Sequence, residues 1–95
     1  MSSTITIYGV PFSQPVRAVL WLMLYKQKGF ELSLVNPGSS SERGSRHPDY
    51  LAKFPTGTIP SIEDKDIGFV LSESHAIMCY LCNKYEWIDL YPSNL

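Results

Sequence analysis

Two stretches of this chain put hydroxyl and carboxylate side chains where a helix should begin. One is Tyr8-Gly9-Val10-Pro11-Phe12-Ser13-Gln14-Pro15-Val16-Arg17-Ala18. The other starts at Thr58-Ile59-Pro60-Ser61-Ile62-Glu63-Asp64 and reaches Ser72-Glu73-Ser74-His75-Ala76-Ile77. In each, a strand-like run feeds a helical one, with Ser13 at the first junction and Glu73 and Ser74 at the second. The first turn of a helix has backbone N–H groups without intrahelical partners, and the helix dipole adds partial positive charge there. Such ends hold anions. Two of them on one small domain suit a ligand with more than one negative group. The plainer reading of Ser13 is a helix N-cap, and of Glu73 and Ser74 a first-turn acid and serine.

The elements that must position these residues follow from the pattern of apolar side chains. Thr4 to Tyr8 alternates Ile5 and Ile7 with threonines, as a strand does. A helix is predicted from Ser13 to about Lys28, with Pro15 in its first turn and Gly29 as its stop. Glu31 to Val35 reads as a second strand, and Asn36 to Arg46 as a mobile loop rich in Ser and Gly. Pro48 to Lys53 makes a short helix, and Ile59 to Glu63 and Phe69 to Leu71 make strands joined by Asp64-Lys65-Asp66. A last helix spans about Glu73 to Tyr85, with Ser72 as its N-cap. The order β-α-β-α-β-β-α implies an α/β sandwich on a four-stranded mixed sheet, because a β-α-β start makes the first two strands parallel.

The first helix carries two apolar stripes. Val16, Val19, Leu20, Met23 and Leu24 form one, and Ala18, Trp21, Leu22 and Tyr25 the other. In the last helix Ala76, Ile77, Tyr80 and Leu81 make the core stripe, leaving Met78, Cys82 and Tyr85 outward. A single sheet covers one stripe of the first helix, so the second marks the seat of a missing domain or subunit.

Bulk properties narrow the function classes. With 95 residues, 44% hydrophobic and 13% aromatic, the chain is one small domain with a real core. A net charge of −1 provides no field to recruit nucleic acid or an anionic membrane. The N-terminus lacks a basic, apolar leader pattern, and the longest apolar run, Ala18 to Tyr25, is too short to cross a bilayer. Two cysteines are too few for a disulfide scaffold, so a reducing, cytoplasmic compartment is expected.

At Ser13-Gln14-Pro15-x-Arg17-Ala18, Thr58-Ile59-Pro60 and Glu73-Ser74-x-Ala76-Ile77 the chain resembles the N-terminal domain of a cytosolic glutathione transferase. The likeness is to the serine-dependent theta and delta type and runs along the whole chain, including Tyr80-Leu81 and Tyr91-Pro92-Ser93. The resemblance implies a thioredoxin-like fold over residues 1–87, a cis peptide before Pro60, and, at 88–95, the start of a linker to a helical C-terminal domain. That domain would cover the outer face of the first helix. Further implications are glutathione as co-substrate with no metal, conjugation of its thiol to small electrophiles, and a homodimer of the full protein.

The family's residue roles carry over position by position. A free thiol of this kind has a pKa of about 8.5, and lowering it by roughly two units takes about 2.7 kcal/mol of preferential thiolate stabilisation. The resemblance gives that task to the Ser13 hydroxyl, helped by the helix dipole. Thr58, Ile59 and Pro60 form a shelf on which Ile59 pairs its backbone with the cysteinyl unit as an added strand. Ser74 meets the γ-glutamyl carboxylate and Glu73 the ammonium. Relatives often place cationic residues where Ser45 and Thr58 or Gly57 stand here. Arg46, His47 or Lys53 would then meet the glycyl carboxylate.

Other residues take plainer readings. Tyr8, inside the first strand, is expected to pack. Cys79-x-x-Cys82 lies within a helix rather than at its N-terminus, so redox chemistry is not expected. His47 and His75 lack a partner at metal-ligand spacing. The alternative to the enzyme is a non-catalytic docking module of a larger complex, built on the same fold.

Overall fold

The computed structural model describes residues 4–87, and the expected linker at 88–95 lies outside them. The element order is β1 (Ile5–Gly9), α1 (Gln14–Tyr25), β2 (Glu31–Leu34), α2 (Pro48–Lys53), β3 (Ser61–Asp64), β4 (Phe69–Ser72) and α3 (Ser74–Lys84). The strands form one mixed sheet in the order β2-β1-β3-β4. β1 and β2 are parallel, with Ile7 beside Leu32, while β1–β3 and β3–β4 are antiparallel. The β-α-β-α-β-β-α expectation holds.

The core lies between the sheet and the pair α1 and α3. Ile5 and Ile7 project to the same face of β1, and Ile62 sits opposite Ile7 on β3. Onto them pack Val16, Val19, Leu20 and Met23 of α1 and Ile77 and Leu81 of α3, each buried. Gly9 makes the close approach possible: a Cβ there would lie 2.6 Å from Cγ2 of Val16. Tyr8 alternates to the other face, where its ring meets Phe54 at 5.1 Å and Tyr50 at 6.2 Å. That aromatic trio seats α2.

Several boundaries and faces differ from the sequence reading. α1 ends at Tyr25, not Lys28, with Lys26 as its C-cap. Gln27 takes φ +53°, with Gln27 N–H donating to the Leu24 carbonyl and Lys28 N–H to the Met23 carbonyl. This is the paired bonding of a Schellman cap on a residue other than glycine. α3 ends the same way through Glu86 at φ +57° and Trp87 N–H on the Cys82 carbonyl. Ser72 is the last residue of β4 rather than a cap, and Asp64 belongs to β3 rather than to the turn. On α1, Leu22 is buried and Leu24 is 64% exposed, the reverse of the stripes expected. The helix packs on α3 as well as on the sheet, and Leu22 faces the α3 residues Met78 and Cys82. Cys82 is accordingly buried rather than outward.

The 36–46 segment, expected as a mobile loop, is crossed by its own hydrogen bonds. Asn36 N–H donates to the Arg43 carbonyl, Ser45 N–H to the Asn36 carbonyl and Arg46 N–H to the Ser39 carbonyl, at 2.7–2.9 Å. Gly38 N–H adds a 2.7 Å bond to the Oγ of fully buried Ser45. Gly44 passes so close to the Ser39 backbone that no side chain fits there.

Candidate functional site

Topology alone brings the two helix-start motifs to one edge. β1 runs toward that edge and ends at Gly9, with Ser13 just beyond. β3 starts from it, since Tyr8 sits opposite Ser61, so Thr58-Ile59-Pro60 lies there too. β4 returns to it, with Ser72 opposite Ser61, and delivers Glu73 and Ser74. β2, parallel to β1, exits there into the tied 36–46 segment.

At this edge a cavity of about 530 Å³ is lined by Ser13, Gly38, Ser45, Arg46, Thr58 and Ile59, among others. Four residues singled out from the sequence therefore share one depression. Pro60 follows directly, buried and joined to Ile59 by a cis peptide bond. Glu73 and Ser74 do not line the cavity. They stand at the next strand exit along the same edge.

Ser13 occupies the N-cap position of α1 with extended φ −82° and ψ 130°, and its carbonyl accepts the first helical bond from Arg17 N–H at 2.8 Å. Its side chain makes no capping hydrogen bond. The hydroxyl is half-buried at the cavity wall, beside the N–H groups of the first turn.

Among the three cations left open by the sequence, Arg46 lines the cavity. Its side chain lies over Gly57, where a Cβ would come within 3.1 Å of its Nη1, and Gly57 itself needs φ +65°. His47 instead caps α2, its Nδ1 accepting from Asp49 N–H at 3.1 Å. Lys53 points elsewhere and pairs with Glu63 at 3.0 Å. Tyr8 completes that group by donating to Glu63 at 3.2 Å. Burial, and then Glu63, raise the Tyr8 pKa, so its phenol remains protonated at neutral pH.

Glu73 is the N-cap of α3 at φ +80° and ψ 116°, without a side-chain capping bond. A non-glycine residue there is strained by about 1–3 kcal/mol, and such strain collects at ligand-binding positions. The sequence reading missed this conformation, and it missed the hydroxyls of Tyr50, Ser61 and Ser72. Tyr50 donates to the Thr58 carbonyl at 2.6 Å, directly beneath the Ile59 segment. Its pKa is raised by burial, against a smaller opposing effect of the Ser61 hydroxyl. No sequence motif marks Tyr50, and Ser61 and Ser72, which stand within the second quoted stretch, carry no pattern there that pairs them with it. Among the described residues no group of His, Cys, Asp and Glu is arranged to hold a metal ion, and no helix is long and apolar enough to cross a membrane.

Comparison with known proteins bears on what this edge is for. Residues 7–88 match the sequence profile described as "Glutathione S-transferase, N-terminal domain". The chain belongs to the glutathione S-transferase N-terminal domain family. It is 37% identical to glutathione S-transferase 3 of Zea mays over 89 residues, which are 92% of this chain and 38% of that protein. Among solved structures, an epsilon-class glutathione S-transferase from the housefly Musca domestica superposes with a TM-score of 0.81 at 35% identity, over 95% of this chain and 39% of that one. A glutathione transferase homologue from Drosophila mojavensis, solved with bound glutathione, gives 0.82 at 35% identity over 99% and 41%. The thioredoxin-like α/β fold is thereby shared with glutathione transferases. The chain spans about two-fifths of the length of these relatives.

Proposed function

We propose that this domain binds glutathione and activates its thiol for conjugation to small electrophiles, as a serine-type glutathione transferase of the theta or delta kind. The observation that carries the reading is the Ser13 hydroxyl. It is not used to cap its own helix, yet it sits at that helix's N-terminus in the cavity that also holds Arg46, Thr58 and Ile59. A thiolate placed there receives the Ser13 hydroxyl proton as a hydrogen bond and feels the positive end of α1. The thiol proton leaves to water, and the sulfur lone pair then forms the bond to an electrophilic carbon, whose leaving group departs with the electron pair of the bond that breaks. Ser13 keeps its own proton throughout.

The remaining groups match the rest of the tripeptide. The Ile59 backbone pairs with the cysteinyl unit, Arg46 meets the glycyl carboxylate, and Ser74 with Glu73 takes the γ-glutamyl carboxylate and ammonium. A helical C-terminal domain belongs on the outer face of α1. There Trp21 and Tyr25 stack at 4.9 Å and are 60% and 57% exposed, and Trp21 also borders an apolar groove with Met78 and Cys79 of α3. That domain would complete the electrophile site, and the full protein would act as a cytoplasmic homodimer.

Titration of the chain with glutathione, followed by chemical-shift perturbation and calorimetry beside Ser13→Ala, tests the reading. The expected result is saturable binding that perturbs Ser13, Ile59 and Ser74. In the variant the bound thiol should hold its proton about two pH units higher, a loss of about 2.7 kcal/mol in thiolate stabilisation. Silence to several millimolar would favour a docking module without glutathione chemistry.

A further inference from the structure

Three hydroxyls form a chain beneath the shelf that precedes β3. Tyr50 donates from α2 to the Thr58 carbonyl at 2.6 Å and lies 2.9 Å from Ser61 Oγ, which is itself 2.9 Å from Ser72 Oγ. Each hydroxyl carries one proton. The Tyr50 hydroxyl is placed to donate to the Thr58 carbonyl or to Ser61 Oγ, Ser61 Oγ can itself donate to the Thr58 carbonyl at 3.3 Å, and in the Ser61–Ser72 contact either oxygen can be the donor, so the three hydroxyls converge on one carbonyl. Ser61, at the centre of the chain, is fully buried, so water cannot take its place there.

The two ends of this chain are one residue from the two halves of the candidate site. Thr58 precedes Ile59 and adjoins Gly57, the floor under Arg46. Ser72 precedes Glu73, whose φ of +80° needs fixed neighbours to persist. On its other side Glu73 is held by the Ile77 N–H, which donates to its carbonyl at 2.9 Å.

We propose that Tyr50 and Ser61 are positioning residues, whose hydroxyl chain locks the Ile59 shelf to α2 and to the Glu73 turn so that the thiol and γ-glutamyl contacts are set together. The inference rests on the glutathione reading above and adds to it a coupling between two subsites on different strands. Neither residue touches the ligand in this account. Both act through the backbone they hold.

Tyr50→Phe is the leading test, because it removes one oxygen and keeps the ring that packs on Tyr8 and Phe54. In the ligand-free full chain, the amide resonances of both Ile59 and Ser74 should move. The glutathione dissociation constant, measured well below the variant's melting temperature, should rise about tenfold, on the order of the effect of losing one hydrogen bond. Ser61→Ala should repeat both effects, and the double variant should cost little more than the larger single, since one chain is being broken. An unchanged dissociation constant with only a lower melting temperature would overturn the proposal. So would resonance changes confined to residues 58–61. If the unsubstituted chain fails to bind glutathione, the reading of the site falls and the positioning role with it. Equal binding by the chain and by Tyr50→Phe overturns the positioning role alone.

Discussion

Asp64, at the end of β3, and Ser13, beyond the opposite end of the sheet, are both polar side chains beside a helix terminus, and the fold uses them differently. Asp64 is fully buried and fully employed. Its carboxylate accepts from Tyr80 Oη at 2.6 Å, Lys84 Nζ at 2.7 Å and Asp66 N–H at 3.1 Å, pinning the C-terminal turns of α3 to the sheet. The Ser13 hydroxyl lines a cavity and leaves its helix uncapped, while Glu73 at the same edge holds a strained backbone. One end of the sheet uses its polar groups to close the structure. The other leaves the Ser13 hydroxyl facing a cavity and holds Glu73 in a strained conformation, at some cost in stability.

The comparison breaks first at Asp64. Asp64→Ala strips the shortest-range partner from a partly buried hydroxyl and a mostly buried ammonium, and should destabilise the domain by about 3 kcal/mol in urea unfolding. A loss below about 1 kcal/mol would mean that this end is no anchor. The same triad predicts a pH profile. Burial alone would raise the Asp64 pKa, but the bonds from Lys84, Tyr80 and the Asp66 N–H outweigh it and hold it lowered. Its contribution is complete above the unfolded carboxylate pKa and is lost as pH falls through the folded value. Tyr80, pushed up to about 12 by burial and by its bond to Asp64, behaves in the opposite sense. Its share is complete below pH 10, the ordinary tyrosine value, and is lost between 10 and about 12. Tyr80→Phe should flatten that alkaline loss in a pH series of melting temperatures.

Glu73 sharpens the contrast with a change of opposite sign. Glycine adopts φ +80° without the Cβ penalty, so Glu73→Gly should stabilise the domain by about 1 kcal/mol in the same urea assay. Under the proposed function it should also weaken glutathione binding. A variant that is destabilised would show that Glu73 side-chain contacts, not ligand demands, keep this residue where it is.

Much of this contrast could be anticipated from the chain, and the unanticipated parts share a cause. Alternation at Ile5 and Ile7 and the β-α-β order lead directly to the sheet, and the order of the three motifs leads to the shared edge. Local patterns do not carry tertiary choices. Gln27 ends α1 in a left-handed turn where Gly29 stood ready, because the chain must turn back to the sheet three residues sooner, and Glu86 ends α3 in the same conformation. Leu22 is buried because α1 has two packing partners, and a helical wheel drawn against one sheet cannot show the second. Segment 36–46 reads as polar and flexible, yet Ser45 and Gly44 are buried within its own hydrogen bonds. The Tyr50, Ser61 and Ser72 hydroxyls come from three elements and have no signature along the chain.

The smallest stability effect is the most telling. A serine that truly caps a helix costs about 1 kcal/mol when replaced by alanine, because a first-turn N–H loses its acceptor. Ser13 stands at the cap position of α1 but makes no such bond, so Ser13→Ala should change the unfolding free energy by less than about 0.5 kcal/mol. If Ser13 instead serves only its helix, the full capping loss will appear in urea unfolding and thiol activation will be untouched. The proposed role requires the reverse: near-neutral stability together with a thiolate-to-thiol ratio of bound glutathione about a hundredfold lower. Stability and thiol ionisation measured on one variant therefore separate a cap from a thiolate donor, because capping uses the hydroxyl oxygen as an acceptor whereas thiolate stabilisation uses its proton.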